Sequence, residues 1–323
     1  MTESESMPAA GQVPVKKPIP AAAAYAGLVV LLLISEIVAL LLIAPVISAN
    51  LFAFDDPDSF GNIVLFVLLM LVFTAILLIL IRKKAHKIVA VILALCIGLV
   101  IYYVAFALLS LIPALPVALL YILSILIGIA GVLILCLRPE WYIIDILGIV
   151  ISAGCAVIFG ISLSPLLVII LLLLLILYDY IAVNHTKHML TLADGVMKQR
   201  MPIMFLVPKR RGYSYRKSGL SVTGAKTDRA AYMIGMGDMI MPAILVVSAQ
   251  VFIESPVILG MTVPAFGAML GSVAGIILLA LPLKKSGKAQ AGLPYINGAA
   301  IIGFFICCAV TGSWDWLTLS FFN

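Results

Sequence analysis

Four carboxylates lie inside long apolar stretches of this sequence: Glu36, Asp145, Asp179 and Asp238. An ionised carboxylate in an apolar environment is costly unless it is paired or protonated, so residues of this kind are candidates for function. Two carboxyl groups that lie close together cannot both ionise, and with one shared proton they can act on water as a base and an acid. Which of the four can form such a pair depends on the elements that carry them.

The composition indicates a protein that crosses a membrane many times. The chain has 323 residues, of which 64% are hydrophobic and 11% are charged, and its mean hydropathy is +1.27. Apolar runs of the roughly 20 residues that a membrane-spanning helix needs recur along the sequence, without the alternation of a β-barrel. We therefore predict an all-α polytopic membrane protein with nine transmembrane helices, at residues 21–49, 61–81, 88–110, 114–137, 141–162, 165–185, 230–253, 256–283 and 291–313.

The segments between the predicted helices divide the chain. Residues 1–20 are polar and rich in proline, which predicts a disordered cytoplasmic tail. Residues 21–185 carry the first six helices, residues 186–229 form a basic cytoplasmic loop, and residues 230–323 carry helices seven to nine. Residues 21–323 are thus predicted to form one membrane domain.

The distribution of charge predicts the orientation of the chain. When the N-terminus is placed in the cytoplasm, all 20 Lys and Arg residues fall on the cytoplasmic side. The outer loops instead contain the carboxylates of Asp55, Asp56, Asp58 and Glu254. Because cytoplasmic loops of membrane proteins are enriched in Lys and Arg, the C-terminus is predicted to be extracellular. The net charge of +6 then reflects membrane orientation and contact with anionic lipid, not nucleic-acid binding.

Two of the four carboxylates have matching depths in this arrangement. Asp179 lies about six residues before the cytoplasmic end of the sixth helix, which is ~9 Å of helical rise. Asp238 lies about eight residues into the seventh helix, which is ~12 Å by the same rise. Helices that are adjacent in sequence commonly pack together, so the two carboxyl groups are predicted to face each other. That arrangement is the one that an aspartic protease needs.

The residues around Asp238 favour access to it. Gly235 and Gly237 remove side chains beside the carboxylate, so that backbone or water can approach closely. Pro242 has no backbone N–H, which leaves the carbonyl of Asp238 without its helical donor. Small residues also allow close helix packing. Because these residues lie beside an aspartate pair at matching depth, we interpret Gly235, Gly237 and Pro242 as part of a reactive site.

Structural roles are predicted for the other two carboxylates. Asp145 lies about one turn from the inner end of the fifth helix, behind Trp141 and Tyr142, where it is expected at the membrane interface. Glu36 lies in the middle of the first helix. A hydrogen bond to a neighbouring helix is the simplest role for it.

Three motifs occur in the order found in a known family. They are "LLLLILYDYIAV" (172–183), "MIGMGDMIMP" (233–242) and "AGLPYING" (291–298). With these motifs the chain resembles the presenilin and signal peptide peptidase family of intramembrane aspartyl proteases, over all nine predicted helices. A Tyr-Asp motif and a Gly-x-Gly-Asp motif on consecutive helices form a strong signal, whereas Gly-x-Gly-Asp alone is weak.

The resemblance implies an enzyme that hydrolyses peptide bonds within transmembrane helices of other proteins, with Asp179 and Asp238 as its catalytic pair. It also implies a set of supporting active-site residues: Tyr178, Gly235, Met236, Gly237, Leu293, Pro294, Tyr295 and Ile296. The family's usual Pro-Ala-Leu aligns with Pro294-Tyr295-Ile296, so only the proline is kept. The short tails and loops favour an archaeal or other prokaryotic homologue, located in the plasma membrane.

Two other classes of protein share some of these features. An ion- or proton-coupled transporter can also carry carboxylates within the membrane, although no pair of internal repeats is evident and both aspartates lie toward one leaflet. A prepilin-type peptidase shares the Gly-x-Gly-Asp chemistry, but it cuts at the membrane surface, and nine helices fit it poorly. Transmembrane protein substrates and membrane lipid are the partners that the sequence indicates.

Some features leave more than one interpretation open. No metal or cofactor is expected, and His185 and His188 are assigned to the membrane interface rather than to a metal site. Residues 202–222 mix basic, apolar and aromatic side chains, so they form either a disordered loop or a strand edge for an unwound substrate. Self-cleavage of the basic loop and the oligomeric state also remain open.

Overall fold

The computed structural model describes residues 20–181, 204–209, 213–215, 231–286 and 292–317. The helices are α1 (Ala21–Leu41), α2 (Ile43–Ser48), α3 (Gly61–Arg82), α4 (His86–Ser110), α5 (Val117–Leu137), α6 (Trp141–Gly160), α7 (Pro165–Ile181), α8 (Met236–Phe252), α9 (Val263–Ser286) and α10 (Leu293–Thr311). A short 3-10 helix follows at Asp315–Leu317. The strands are β1 (Met204–Pro208), β2 (Ala231–Gly235), β3 (Val257–Ile258) and β4 (Met261–Thr262).

The helices form an integral multi-pass membrane protein. Within the described residues, seven apolar segments are long enough to cross a membrane, and α1 with α2 forms the first of them. α7 and α8 are also apolar but extend over 17 residues each. α3 and α5 expose large apolar side chains along their length, as helices that face lipid do. The predicted helical membrane fold is thus confirmed, with two small sheets in addition.

The seventh predicted helix begins later than its apolar pattern indicates. The prediction placed its start at residue 230, but residues 231–235 form strand β2 and the helix begins at Met236. Gly235 has extended backbone angles and lies at the N-cap position of α8. The prediction was wrong here because a short apolar run fits a buried strand as well as a helix.

The eighth predicted helix is also shorter than expected. Its predicted start was residue 256, but β3 and β4 form a tight antiparallel hairpin before α9 begins at Val263. Leu259 and Gly260 turn this hairpin with φ values of 53° and 82°. Two successive residues in the left-handed region cannot belong to a right-handed helix, so the helix starts after them.

β1 and β2 form an antiparallel sheet that packs against α1 and α6. Its register pairs Leu206 with Met233. A Cβ atom on Gly148 of α6 would lie 3.0 Å from the Phe205 ring, so this glycine lets the sheet approach α6 closely. On the same face of β1, Gly27 of α1 makes the same kind of room for Val207. One face of the sheet therefore packs against two membrane helices.

α9 and α10 pack closely through glycines. A Cβ atom on Gly271 of α9 would overlap the backbone of Ala299 in α10. Likewise, a Cβ atom on Gly303 of α10 would overlap the carbonyl oxygen of Gly267 in α9. Small residues at such positions allow two backbones to approach each other within a membrane. This contact sets the position of α10 relative to the rest of the bundle.

The close contact between α9 and α10 leads to a stability prediction. Replacing Gly303 by Ala should lower the free energy of unfolding by about 1–3 kcal/mol, because the added methyl group forces the two helices apart. Gly298 lies in the same helix, and a Cβ atom there would have no neighbour within 4 Å. Gly298→Ala should therefore leave stability unchanged or raise it slightly. Equal melting temperatures for the two purified variants in detergent would contradict this account.

Candidate active site

Asp179 lies near the end of α7, on the face that packs into the bundle. Leu172 and Leu175 are buried on the same face, as the helical period requires. The Asp179 side chain is 4% exposed. Its Oδ2 atom accepts a hydrogen bond of 3.3 Å from the backbone N–H of Leu293, at the start of α10. A buried carboxylate thus receives a donor from a helix N-terminus, which stabilises negative charge.

Asp238 is the third residue of α8, so it lies in the first turn of that helix. The backbone N–H of Gly235 donates a hydrogen bond to its carboxylate. A side chain at this position that reaches back to the N-cap N–H forms half of a capping box. The end of β2 and the start of α8 therefore orient Asp238 directly. The predicted depth of about eight residues was wrong because β2 replaces the first predicted turns.

The two aspartates meet at the N-terminus of α10. Asp238 lies close enough to Asp179 for the two carboxyl groups to interact electrostatically. A Cβ atom on Gly292 would lie 2.7 Å from Oδ2 of Asp238, while the next residue, Leu293, donates to Asp179. One short piece of backbone therefore touches both carboxyl groups. The structure brings together the pair that the sequence predicted.

The other residues of the Gly-x-Gly-Asp motif have different surroundings. Gly237 is exposed, and a Cβ atom there would have no neighbour within 4 Å, so there is open space beside this glycine. Met236 is buried and its Cε lies 3.0 Å from where a Cβ on Gly148 would be. The motif thus combines an exposed glycine with a buried methionine. Pro242, one turn after the motif, lies inside α8 and is buried.

Three of the remaining predicted support residues, Tyr178, Tyr295 and Ile296, contact neighbouring helices. Tyr178 is half-buried, and its side chain interacts with Thr74 of α3. Pro294 lies in the first turn of α10. The backbone of Tyr295 and Ile296 lies against Gly275 of α9. The contacts described for these two residues therefore position α10.

Sequence reasoning missed the role of Gly292. The contacts with the aspartates come from Gly292 and Leu293, directly before the tripeptide 294–296 that was aligned with the family motif. The signal was present as a glycine within the quoted motif "AGLPYING". Only the fold shows that its missing side chain makes room for Asp238.

The two structural carboxylates are both buried and hydrogen-bonded. Ser272 Oγ in α9 donates to Oε1 of Glu36 over 2.8 Å, which confirms the predicted bond to a neighbouring helix. The backbone N–H of Leu206 in β1 donates to Oδ1 of Asp145 over 2.8 Å. His185, His188 and most of the basic loop lie outside the described residues.

A multi-pass helical membrane protein that brings together two aspartates, Asp179 buried and Asp238 partly buried, where three helices meet has the architecture of an intramembrane aspartate protease. Residues 29–313 match the model of the family described as signal-peptide peptidase, presenilin aspartyl protease. The chain belongs to this family.

Two solved structures support the same assignment. Both are described as structures of a presenilin family intramembrane aspartate protease, one in space group C222 and one in P2. The first is 36% identical with a TM-score of 0.65, and the match covers 89% of this chain and 99% of that one. The second is 38% identical with a TM-score of 0.64, and the match covers 88% and 97%. A search of curated proteins found no match.

The contact of Gly292 with Asp238 leads to a prediction about proteolysis. Gly292→Ala should lower kcat by on the order of 10- to 100-fold, because the new methyl group would displace the carboxylate from its partner. The melting temperature should change little, since the site lies at the start of α10. Cleavage of a transmembrane peptide by the purified variant, with Gly298→Ala as the matched control, measures the effect. Unchanged kcat in both variants would contradict this close approach.

Proposed function

We propose that Asp179 and Asp238 are the catalytic pair with which this protein hydrolyses peptide bonds inside transmembrane helices. One observation carries the proposal: the backbone at residues 292–293 touches both carboxyl groups and keeps them in electrostatic contact. The three motifs that the sequence singled out are thereby in contact at one point. The open space beside Gly237 supports this assignment, because a substrate backbone needs an approach to the pair.

The chemistry follows from one proton shared by the two carboxyl groups. The ionised member removes a proton from a water molecule, and the water oxygen bonds to the scissile carbonyl carbon. The protonated member gives its proton to the carbonyl oxygen, which forms a tetrahedral diol. When the C–N bond breaks, the leaving nitrogen takes the proton from the protonated carboxyl group, and one diol hydroxyl gives its proton to the other carboxylate as the new carboxylic acid forms, so the shared-proton state returns. No metal or cofactor takes part in this sequence of steps.

The sheet of β1 and β2 supports a way of presenting the substrate. A transmembrane helix must unwind before its carbonyl groups can be attacked, because helical hydrogen bonds shield them. An unwound segment can add to a sheet as a further strand, with backbone hydrogen bonds providing the affinity. β2 runs directly into α8 and ends three residues before Asp238. A substrate strand along β2 would therefore lead to the catalytic pair.

The orientation of the chain extends this proposal to substrate polarity. With the N-terminus in the cytoplasm, as the positive residues indicate, α7 runs inward and α8 runs outward. This is the sense that the resemblance to presenilins implies. A cleft is chiral, so it accepts a substrate in one direction only. We propose that the accepted substrates are transmembrane helices with their N-terminus outside. The enzyme would act in the plasma membrane of an archaeon or other prokaryote, in the cytoplasmic half of the bilayer.

Substitution of each aspartate tests the catalytic assignment. Asp179→Asn and Asp238→Asn should each abolish hydrolysis, because one carboxyl group cannot both activate water and protonate the carbonyl oxygen. Folded yield and melting temperature should be retained or should rise, since Asn keeps the shape and removes a buried charge. Turnover of a transmembrane peptide by the purified variants is the measurement. Substantial turnover by the double Asn variant would refute the assignment.

Substrate polarity is tested by presenting one apolar segment in both orientations. The segment should be cleaved in vesicles when its N-terminus lies on the same side as the C-terminus of the enzyme, as mapped by protease accessibility. The reversed segment should be cleaved at least about tenfold more slowly, because its backbone would run antiparallel to the accepted direction; that factor corresponds to roughly 1.4 kcal/mol. Preference for the reversed segment would overturn the proposed polarity while leaving the aspartate pair intact.

A further inference from the structure

Two carboxylates at the start of α6 contact the segment that contains β1. Asp145 is 5% exposed, and its Oδ1 atom accepts the N–H of Leu206 over 2.8 Å. Glu140, directly before α6, accepts from Ser214 Oγ over 2.7 Å and from the N–H of Tyr215 over 3.2 Å. We call Glu140 and Asp145 the α6 carboxylates. They bind β1 and the residues after it at two separate points.

The surroundings of the second contact point are buried as well. Tyr215 is 3% exposed. Burial raises the pKa of Tyr213 to about 12, and Tyr215 and the Glu140 carboxylate both act in the same direction. The segment 213–215 therefore packs against the start of α6 rather than extending into solvent. Both contact points belong to one buried surface.

The hydrogen-bond pattern of the sheet shows which edge of β1 Asp145 occupies. Residues of an antiparallel strand point their N–H groups alternately toward the partner strand and away from it. Because Leu206 donates to Asp145, its N–H points away from β2, and that of Met204 does too. Pro208 occupies the next outward position and has no N–H to donate. The outer edge of β1 is thus closed by α6 and by a proline.

The outer edge of β2 leads toward the catalytic pair. The residues that point their N–H groups to this edge are Ala231, Met233 and Gly235, because they pair with Pro208, Leu206 and Met204. The N–H of Gly235 is directed to the Asp238 carboxylate. A substrate strand that bonds to this edge of β2 would therefore extend directly toward the catalytic pair. Any movement of β1 would move β2, and β2 leads into the first turn of α8.

We propose that Asp145 is a positioning residue that determines which substrate bond is cleaved. By binding the outer edge of β1, it directs strand addition to β2 and fixes the sheet at one position relative to Asp179 and Asp238. Asp145 itself does not touch the substrate. This inference rests on the proposed function, since it concerns how a substrate strand is aligned with the catalytic pair.

Paired substitutions at Asp145 test the proposal. Asp145→Asn keeps an oxygen acceptor for Leu206, so it should give the parent cleavage position and a kcat/KM within about twofold of the parent. Asp145→Leu removes the acceptor, and kcat/KM should fall about tenfold, the factor that corresponds to 1.4 kcal/mol. Mass spectrometry of the products should then show cleavage at neighbouring bonds as well. We therefore expect the parent cleavage position and kcat/KM to be retained in Asp145→Asn and lost in Asp145→Leu.

The donor can be removed from the other side of the same hydrogen bond. Leu206→Pro deletes the N–H at an outward position, where the β1–β2 ladder does not need it. It should spread the cleavage positions in the same way as Asp145→Leu. In the double variant the effects on product distribution should not add, because both changes remove one interaction. Leu206→Pro also provides a test if Asp145→Leu fails to fold.

Glu36→Gln is the matched control for loss of a buried carboxylate. It alters the bond to Ser272, which lies in α9 away from the sheet, so it should change melting temperature without changing the cleavage position. A single parent product from both Asp145→Leu and Leu206→Pro would overturn the inference. Retained cleavage by Asp238→Asn would instead overturn the proposed function, so the two failures are distinguishable.

Discussion

The backbone at the start of α10 contacts the carboxyl groups of both aspartates. Two carboxyl groups within a membrane repel each other when both are charged, and each loses hydration. Leu293 supplies a backbone donor to one of them, and the absent side chain of Gly292 leaves space for the other. The geometry of the aspartate pair therefore rests on the backbone at residues 292–293.

The surrounding elements maintain this contact from three directions. Glycines between α9 and α10 place the start of α10 at a fixed depth. The buried face of α7 carries Asp179 toward it. β2 and the first turn of α8 bring Asp238 from the other side, and α6 holds the sheet in position through Asp145. The membrane bundle thus fixes the helices, while the small sheet sets the direction of Asp238.

The aspartate pair could be predicted from the sequence because each residue stands out in an apolar run, and the motifs around it are specific. β2 could not be predicted, since the residues of Ala231–Gly235 suit a buried strand and a helix equally. The bond between Asp145 and Leu206 joins residues 61 positions apart, with no local pattern to indicate it. Gly292 was visible as a glycine beside a motif, but its role depends on where Asp238 lies after folding. Local chemistry was therefore predictable, and contacts between distant segments were not.

The length of α8 has a consequence for the depth of Asp238. Its 17 residues span roughly 26 Å at 1.5 Å per residue, which is less than the ~30 Å of a typical hydrocarbon core. Gly237 is the only exposed residue of α8, so neighbouring helices and strands, and not lipid, surround this helix. A helix shorter than the hydrocarbon core has at least one end inside it. The packing of α8 against its neighbours therefore sets how deep in the membrane its first turn, and with it the Asp238 carboxyl group, is held.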